Sequence, residues 1–222
     1  MTEHTSKAFE QALQVLRERL TVMGTRAAQQ LVRAITAFVE RDDDVARTVL
    51  RDDDQIDRDE TDIDELALQL LATQHPVASD LRFISMAFKI VVDLERIGDL
   101  AVGIAKRALE LNQLPAFELR GDLAELASLV QGNLHAALVA FIDNDAPAAR
   151  AVMAADAEID RLNASVFAVL IAHVATDPTT ITRVLALTSI CRYLERIGDH
   201  VKNLAEDVIA VSVGWVGVRS GR

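Results

Sequence analysis

The stretch DLERIGDLA, Asp93–Ala101, returns one hundred residues later as YLERIGDHV, Tyr193–Val201. The run Leu-Glu-Arg-Ile-Gly-Asp is identical in the two copies, while apolar neighbours differ, as at Phe88 against Thr188. Upstream, ARTVLRDDDQID (Ala46–Asp57) matches ARAVMAADAEID (Ala149–Asp160) at an offset of 103. The difference between the offsets is absorbed in the turn that follows each upstream segment. The chain therefore reads as an internal duplication of one structural unit.

Apolar residues recur at intervals of three and four almost throughout, and no stretch alternates with period two, so the expected class is all-α. Breaks at Glu40–Asp44, Gln74–Asp80 and Asn112–Asp122 divide the first half into three helices. Asp143–Pro147 and Thr176–Thr180 divide the second half in the same way. The architecture predicted is two tandem three-helix bundles, six helices in all, spanning residues 1–113 and 118–222 and linked around Leu114–Gly121. Helix starts are marked chemically. Asp145 precedes Pro147 and Asp177 precedes Pro178, each pairing an N-cap acid with a proline in the first turn, while Pro76 marks the third helix.

With 50% hydrophobic and 26% charged residues, 4 Pro and 9 Gly among 222, the composition is that of an ordered protein. The net charge of −11 excludes a typical nucleic-acid binder, which needs clustered Lys and Arg, and suits a cationic partner such as a metal ion or a basic protein surface. A single cysteine, Cys191, rules out internal disulfides and thiolate clusters and reads as a core thiol. The N-terminal segment lacks the apolar core of a signal peptide, and the longest uncharged stretch, Leu126–Ile142, falls short of the ~20 residues of a spanning helix. The expected location is cytoplasmic, without membrane insertion, and compatible with lying against a membrane complex.

The repeated carboxylates carry the functional signal. Glu95 and Asp99, like Glu195 and Asp199, are four residues apart and share one helix face. On a helical projection Ile84, Phe88 and Val102 lie within about 20° of Glu95, and Val91 and Asp99 within about 40°, so the first pair follows an apolar stripe. Two carboxylates there lose hydration and repel each other unless neutralised. The second helices carry Asp53 with Asp57 and Asp156 with Asp160. If the second and third helices pack antiparallel, four carboxylates converge in each repeat. Oxygen ligands of this kind suit magnesium, manganese, iron or zinc.

Solvated acidic pairs are also common on helix surfaces, and the second pair has Arg192, Lys202 and Asn203 nearby for plain salt bridging. Repetition of the motif speaks against that alternative. A glycine inside a helix costs roughly 1 kcal/mol, so Gly98 and Gly198 suggest close approach of a neighbouring helix. His4, His75, His135, His173 and His200 show no metal-binding spacing, and no catalytic motif is present. The acidic run Arg51–Glu65 reads mainly as a solvated face, and Trp215 lies in a glycine-rich tail.

HPVASDLRFISMAFKIVVDLERIGDLAVGIAKRA (His75–Ala108) and RYLERIGDHVKNLAEDV (Arg192–Val208), with Met23-Gly24 and the Asp-x-x-Ile-Asp segments, resemble the signatures of the PhoU family of phosphate-transport accessory proteins. The resemblance implies two three-helix bundles, frequent homodimers, and a non-enzymatic negative regulator of phosphate uptake and of the phosphate-starvation response. The implied partners are the ATPase of the phosphate ABC transporter and a membrane sensor histidine kinase. Some members hold multinuclear metal through Glu/Asp-x-x-x-Asp, which implies Glu95, Asp99, Glu195 and Asp199 as ligands, with Asp53, Asp57, Asp156 and Asp160 at the matching second-helix positions. Asn203 fits the family's Asn four residues after the motif Asp, whereas the first repeat has Gly103 there. The alternative reading is a carboxylate-rich metal store or metal-dependent enzyme.

Overall fold

The computed structural model describes residues 2–73, 76, 78–116 and 122–219; His75 and the side chains of His4 and Trp215 lie outside what it describes. The described residues form α1 (Thr2–Val39), α2 (Asp43–Asp52), α3 (Asp54–Thr73), α4 (Ala78–Asn112), α5 (Asp122–Asp143), α6 (Ala146–Thr176), a 3-10 turn at Pro178–Thr180 and α7 (Ile181–Arg219), with no strand among them. The all-α, duplicated three-helix plan is what the periodicity predicts. The second helix of the first repeat comes in two pieces, α2 and α3. They meet at Asp53, whose φ of −59° and ψ of −45° remain helical, so the interruption is local.

The duplication extends to the turns. Arg41 and Asn144, 103 residues apart, are the described non-glycine residues with positive φ, at 57° and 52°. Each is followed by an N-cap acid. Asp42 accepts hydrogen bonds from the backbone N–H groups of Asp44 and Val45, and Asp145 accepts one from Ala148. Both use a donor the first turn cannot satisfy internally. Asp177 caps the 3-10 turn ahead of α7 by accepting from the Thr179 N–H at 3.1 Å. Arg41 also closes the first repeat: its guanidinium donates to the carbonyls of Leu111, Asn112 and Leu114, where α4 runs out of internal partners.

Among the described residues α4 and α7, the third helices of the two repeats, pack extensively on each other. They run antiparallel, because Lys89 meets Asp207, Asp93 meets Asn203, and Gly103 meets Tyr193. Gly24 brings α1 against Leu138 of α5, so a single buried core runs from Leu16 to Val211. Cys191 is buried in it, and desolvation pushes its thiol up to about 12. Counting only uncharged residues understates the apolar length of two helices: α5 over Leu123–Asp143 and α6 are long and apolar enough to cross a membrane by length and composition. In α5 that character is used in the core, at Leu123, Leu126, Val130, Leu134 and Phe141.

Candidate functional site

The two motifs meet through their glycines. A Cβ added to Gly98 would stand 2.9 Å from Cδ1 of Ile56, and one on Gly198 would stand 3.2 Å from Cδ1 of Ile159. Ile56 and Ile159 are the isoleucines of the Asp-x-x-Ile-Asp segments. The isoleucine of one motif therefore seats against the glycine of the other in both repeats. This contact draws the carboxylates flanking each isoleucine towards those flanking each glycine.

In the first repeat the result is a seam of acids between α3 and α4. Asp53, Glu60, Asp64 and Glu95 are half-buried, while Asp57 and Asp99 are exposed. Burial, then the adjacent Asp99, raises the Glu95 carboxyl from 4.5 to about 7, with Arg96 opposing and Glu60 adding to the rise. Burial is also the first cause raising Asp53, Glu60 and Asp64. Asp57 and Asp99 push further on Asp53, whereas the Gln30 hydrogen bond holds it back; Asp64, Asp57 and Asp99 push further on Glu60. Mutual repulsion links the set into one electrostatic unit.

The counter-charges lie mostly on the other side. Along α1, Arg26, Gln30 and Arg33 form a polar row: Arg26 pairs with Asp59, Gln30 donates to Asp53 at 3.1 Å, and Arg33 donates to Asp52 at 2.7 Å. On the α4 side, Arg96 reaches Glu95 at 3.3 Å and Asp99 at 3.2 Å from an exposed position. More than half of the run Arg51–Glu65 is exposed, as expected, while Asp52, Asp53, Asp59, Glu60 and Asp64 are half-buried. Glu60 and Asp64 were legible in principle: with Asp53 and Asp57 they fall at intervals of four, three and four, the spacing of one helix face.

The second repeat is built differently. Asp156 and Glu195 are half-buried, and Asp160 and Asp199 exposed. Lys202 reaches across from α7 to α6 and donates to Asp156 at 2.5 Å; this hydrogen bond, with the charge of Asp156, raises the Lys202 ammonium above its ordinary value. Asn203 is turned elsewhere, its amide donating to Asp93 of α4 at 3.2 Å. The candidate ligand Asn203, four residues after Asp199, is thus engaged in a contact between the repeats. His200 joins it, with Nδ1 2.8 Å from the same Asp93 oxygen. Asp93 is buried and escaped the sequence reading, because its counterpart 100 residues on is Tyr193. That tyrosine explains the departure at Gly103: a Cβ there would meet the Tyr193 ring at 3.0 to 3.2 Å.

Among the described residues, no group of three or more His, Cys, Asp or Glu side chains is placed so that it could hold a metal ion. The donor chemistry of the first repeat nonetheless fits a cation. Its oxygens are carboxylate oxygens, and burial followed by the adjacent Asp99 raises Glu95 to about 7 in spite of Arg96 at 3.3 Å. In the second repeat Lys202 already supplies a counter-charge.

The PhoU domain model matches residues 20–108 and again 123–208, each half of the duplication once. The chain belongs to the PhoU family. It is 39% identical over 211 residues to a phosphate-specific transport system accessory protein PhoU homolog of Pseudomonas putida, covering 94% of this chain and 82% of that protein. It is 37% identical over 207 residues to the homolog of Caulobacter vibrioides, covering 93% and 90%. Among solved structures, PhoU from Pseudomonas aeruginosa superposes with a TM-score of 0.89 at 38% identity, covering 93% of this chain and 99% of that one. The phosphate transport system regulatory protein PhoU from Streptococcus pneumoniae gives 0.86 at 27% identity, covering 93% and 97%.

Proposed function

We propose that the chain is a non-enzymatic accessory protein of phosphate transport that restrains phosphate uptake and the phosphate-starvation response. The observation that carries this is the match to relatives named as accessory proteins of the phosphate-specific transport system, over 93–94% of this chain and 82–90% of theirs. The partners are the ATPase of the phosphate transporter and a membrane sensor kinase, met from the cytoplasm by a homodimer of two-repeat chains, residues 1–113 and 118–222. Deleting the gene tests the reading. Expression of the starvation genes in high phosphate is expected, and silence of those genes would overturn it.

The carboxylates of the first repeat, Glu95 and Asp99 with Asp53 and Asp57, are proposed to hold a divalent cation, magnesium, manganese, iron or zinc. Bound there, such an ion supplies positive charge that relieves the repulsion between α3 and α4 and stiffens the face they share. Glu60 and Asp64 extend the acidic field along α3, Gln30 orients Asp53, and Arg96 beside Glu95 and Lys106 acting on Asp53 are the protein's own counter-charges on the α4 side. This arrangement favours a structural ion in a docking surface over a store or a reactive centre. A reactive centre also requires a positioned acid or base beside the ion, and the nearby His200 is engaged with Asp93.

A further inference from the structure

The duplication makes each repeat a control for the other. The first helices align at the offset of 103: Leu20, Met23 and Leu31 of α1 and their counterparts Leu123, Leu126 and Leu134 of α5 are all buried. The two helices nevertheless begin at different places. α1 starts at Thr2, whereas α5 starts at Asp122, the counterpart of Arg19. At the same offset residues 2–9 fall on 105–112, the end of α4, so the second repeat has no chain from which to build the first half of α1.

In the first repeat that half is a cover. Val15, Arg19 and Val22 line one groove with Asp62 and Ile63 of α3, and Arg19 pairs with Asp62 at 3.7 Å. Leu16 is buried, and Phe9, Ala12 and Leu13 pack against the core. Beneath this cover Leu66 is half-buried and Leu70 is 4% exposed. In the second repeat α6 runs on past the level at which α5 starts, through the three turns Ser165–Thr176, where Ser165 is the counterpart of Asp62. Val169, the counterpart of Leu66, is 45% exposed, and His173, the counterpart of Leu70, is half-buried.

The chemistry of the face differs with its cover. Asp59–Thr73 holds five acids, whereas the corresponding Leu162–Thr176 holds no Asp, Glu, Lys or Arg. Of the apolar stretch of α6 only 22% is buried, against 44% in α5. Exposure to water gives no reason for this composition, since acids like those of α3 would suit it better.

We infer that the last three turns of α6 are a seat for one amphipathic helix of a partner protein, lying there as the first half of α1 lies on α3. The filled copy says what fits: a helix antiparallel to α6, about 18 Å long, with apolar residues spaced like Phe9, Leu13 and Leu16. It needs no basic residue in the place of Arg19, because Ser165 stands where Asp62 does. The helix must come from another protein. This chain's own segment of that kind is already packed on its first repeat, and a second copy would bring a net charge of −11 up to another −11. The seat is the same whichever transport protein supplies the helix.

The probe is a peptide of residues 7–19, held helical by a hydrocarbon staple between positions 10 and 14, both exposed in α1. The full-length protein carries Ala172→Cys, at an exposed position of α6, labelled with bimane; Cys191 is buried and stays unlabelled. Gln69→Cys, the counterpart position on the covered α3, is labelled as the control. Expected is a saturable blue shift of the emission at position 172 as peptide is added, and none at position 69. Val169→Lys, at an exposed site, should weaken binding at least tenfold while circular dichroism and the thermal midpoint stay as in wild type. No shift at 172, an equal shift at 69, or binding indifferent to Val169→Lys would overturn the inference. A shift that grows with protein concentration alone would assign the face to a second copy. One produced by vesicles of phosphatidylglycerol and phosphatidylcholine but not by peptide would assign it to a lipid surface, and either result also overturns the inference.

Discussion

Glu95 is the residue whose protonation reports on the seam between α3 and α4, and its effect on stability has a definite sign. Its carboxyl is raised from 4.5 to about 7 in the folded chain, first by burial and then by Asp99. Below pH 4.5 both folded and unfolded chains hold the proton, and Glu95 costs nothing. Between 4.5 and 7 the unfolded chain releases it while the folded chain keeps it, so stability falls as pH rises; above 7 the whole penalty is present. At about 1.4 kcal/mol per pH unit the shift would amount to roughly 3 kcal/mol. The site opens to solvent at its edge and Arg96 screens it, so the net effect expected is about 1–2 kcal/mol.

The perturbation is Glu95→Gln, which keeps shape and removes the charge. Urea unfolding of metal-stripped protein at pH 5 and pH 8 should show wild type losing stability between the two. The variant should lose about 1–2 kcal/mol less, unfolding about 3–6 °C higher than wild type at pH 8. Asp53, Glu60, Asp64 and Asp207 are raised too and tilt both proteins in the same direction, so the difference between variant and wild type reports Glu95 together with its repulsion of Asp99 and Glu60. Equal slopes in the two proteins, or a variant less stable at pH 8, would refute the claim that the charge of Glu95 is uncompensated.

Three further outcomes follow from the packing. Gly98→Ala places a methyl 2.9 Å from Ile56, an overpacking of about 1–3 kcal/mol against a gain of about 1 in helix propensity, whereas Gly198→Ala meets Ile159 at 3.2 Å. Chemical denaturation should find the first neutral to destabilising by up to about 2 kcal/mol and the second the milder of the two. Asp145→Ala removes the acceptor for the Ala148 N–H and should lower stability by about 1 kcal/mol, with Asp145→Asn recovering most of it in the same assay. Cys191, buried with its thiol pushed up to about 12, should resist a thiol-reactive chromogen at pH 8 in the folded protein and react at once in denaturant.

Periodicity and the repeated motif made the three-helix plan legible, because each is written locally: apolar spacing, a capping acid and a proline say where a helix starts without reference to the rest of the chain. The pairing of Gly98 with Ile56 was legible only as a demand for closeness, since a sequence shows that a side chain is missing but not what fills the gap. The polar row Arg26, Gln30 and Arg33 was invisible for a related reason. Its spacing suits any solvated helix face, and only the position of α2 and α3 turns it into the partner of Asp59, Asp53 and Asp52. The split at Asp53 likewise has no counterpart at Asp156, where α6 runs on unbroken.

The contact between α4 and α7 shows what duplication permits once copies stop being equivalent. Antiparallel packing of two related helices places each residue of one opposite a partner and repeats the pair, copies exchanged, on the far side of the crossing. One side has Asp93, His200, Asn203 and Asp207; the other has their counterparts Tyr193, Leu100, Gly103 and Arg107. A buried aspartate at both ends would need two sets of donors and would leave two desolvated charges in one core. With Tyr193 over Gly103 at one end, packing does there what hydrogen bonding does at the other. Lys106, beyond the first motif, lowers the carboxyl of Asp53. Burial and neighbouring acids raise Glu95 in the first repeat, whereas Lys202 donates to Asp156 in the second, although the six motif residues are the same. Divergence at positions 102, 103, 202 and 203, outside the repeated hexapeptide, is therefore enough to give each copy its own electrostatic character.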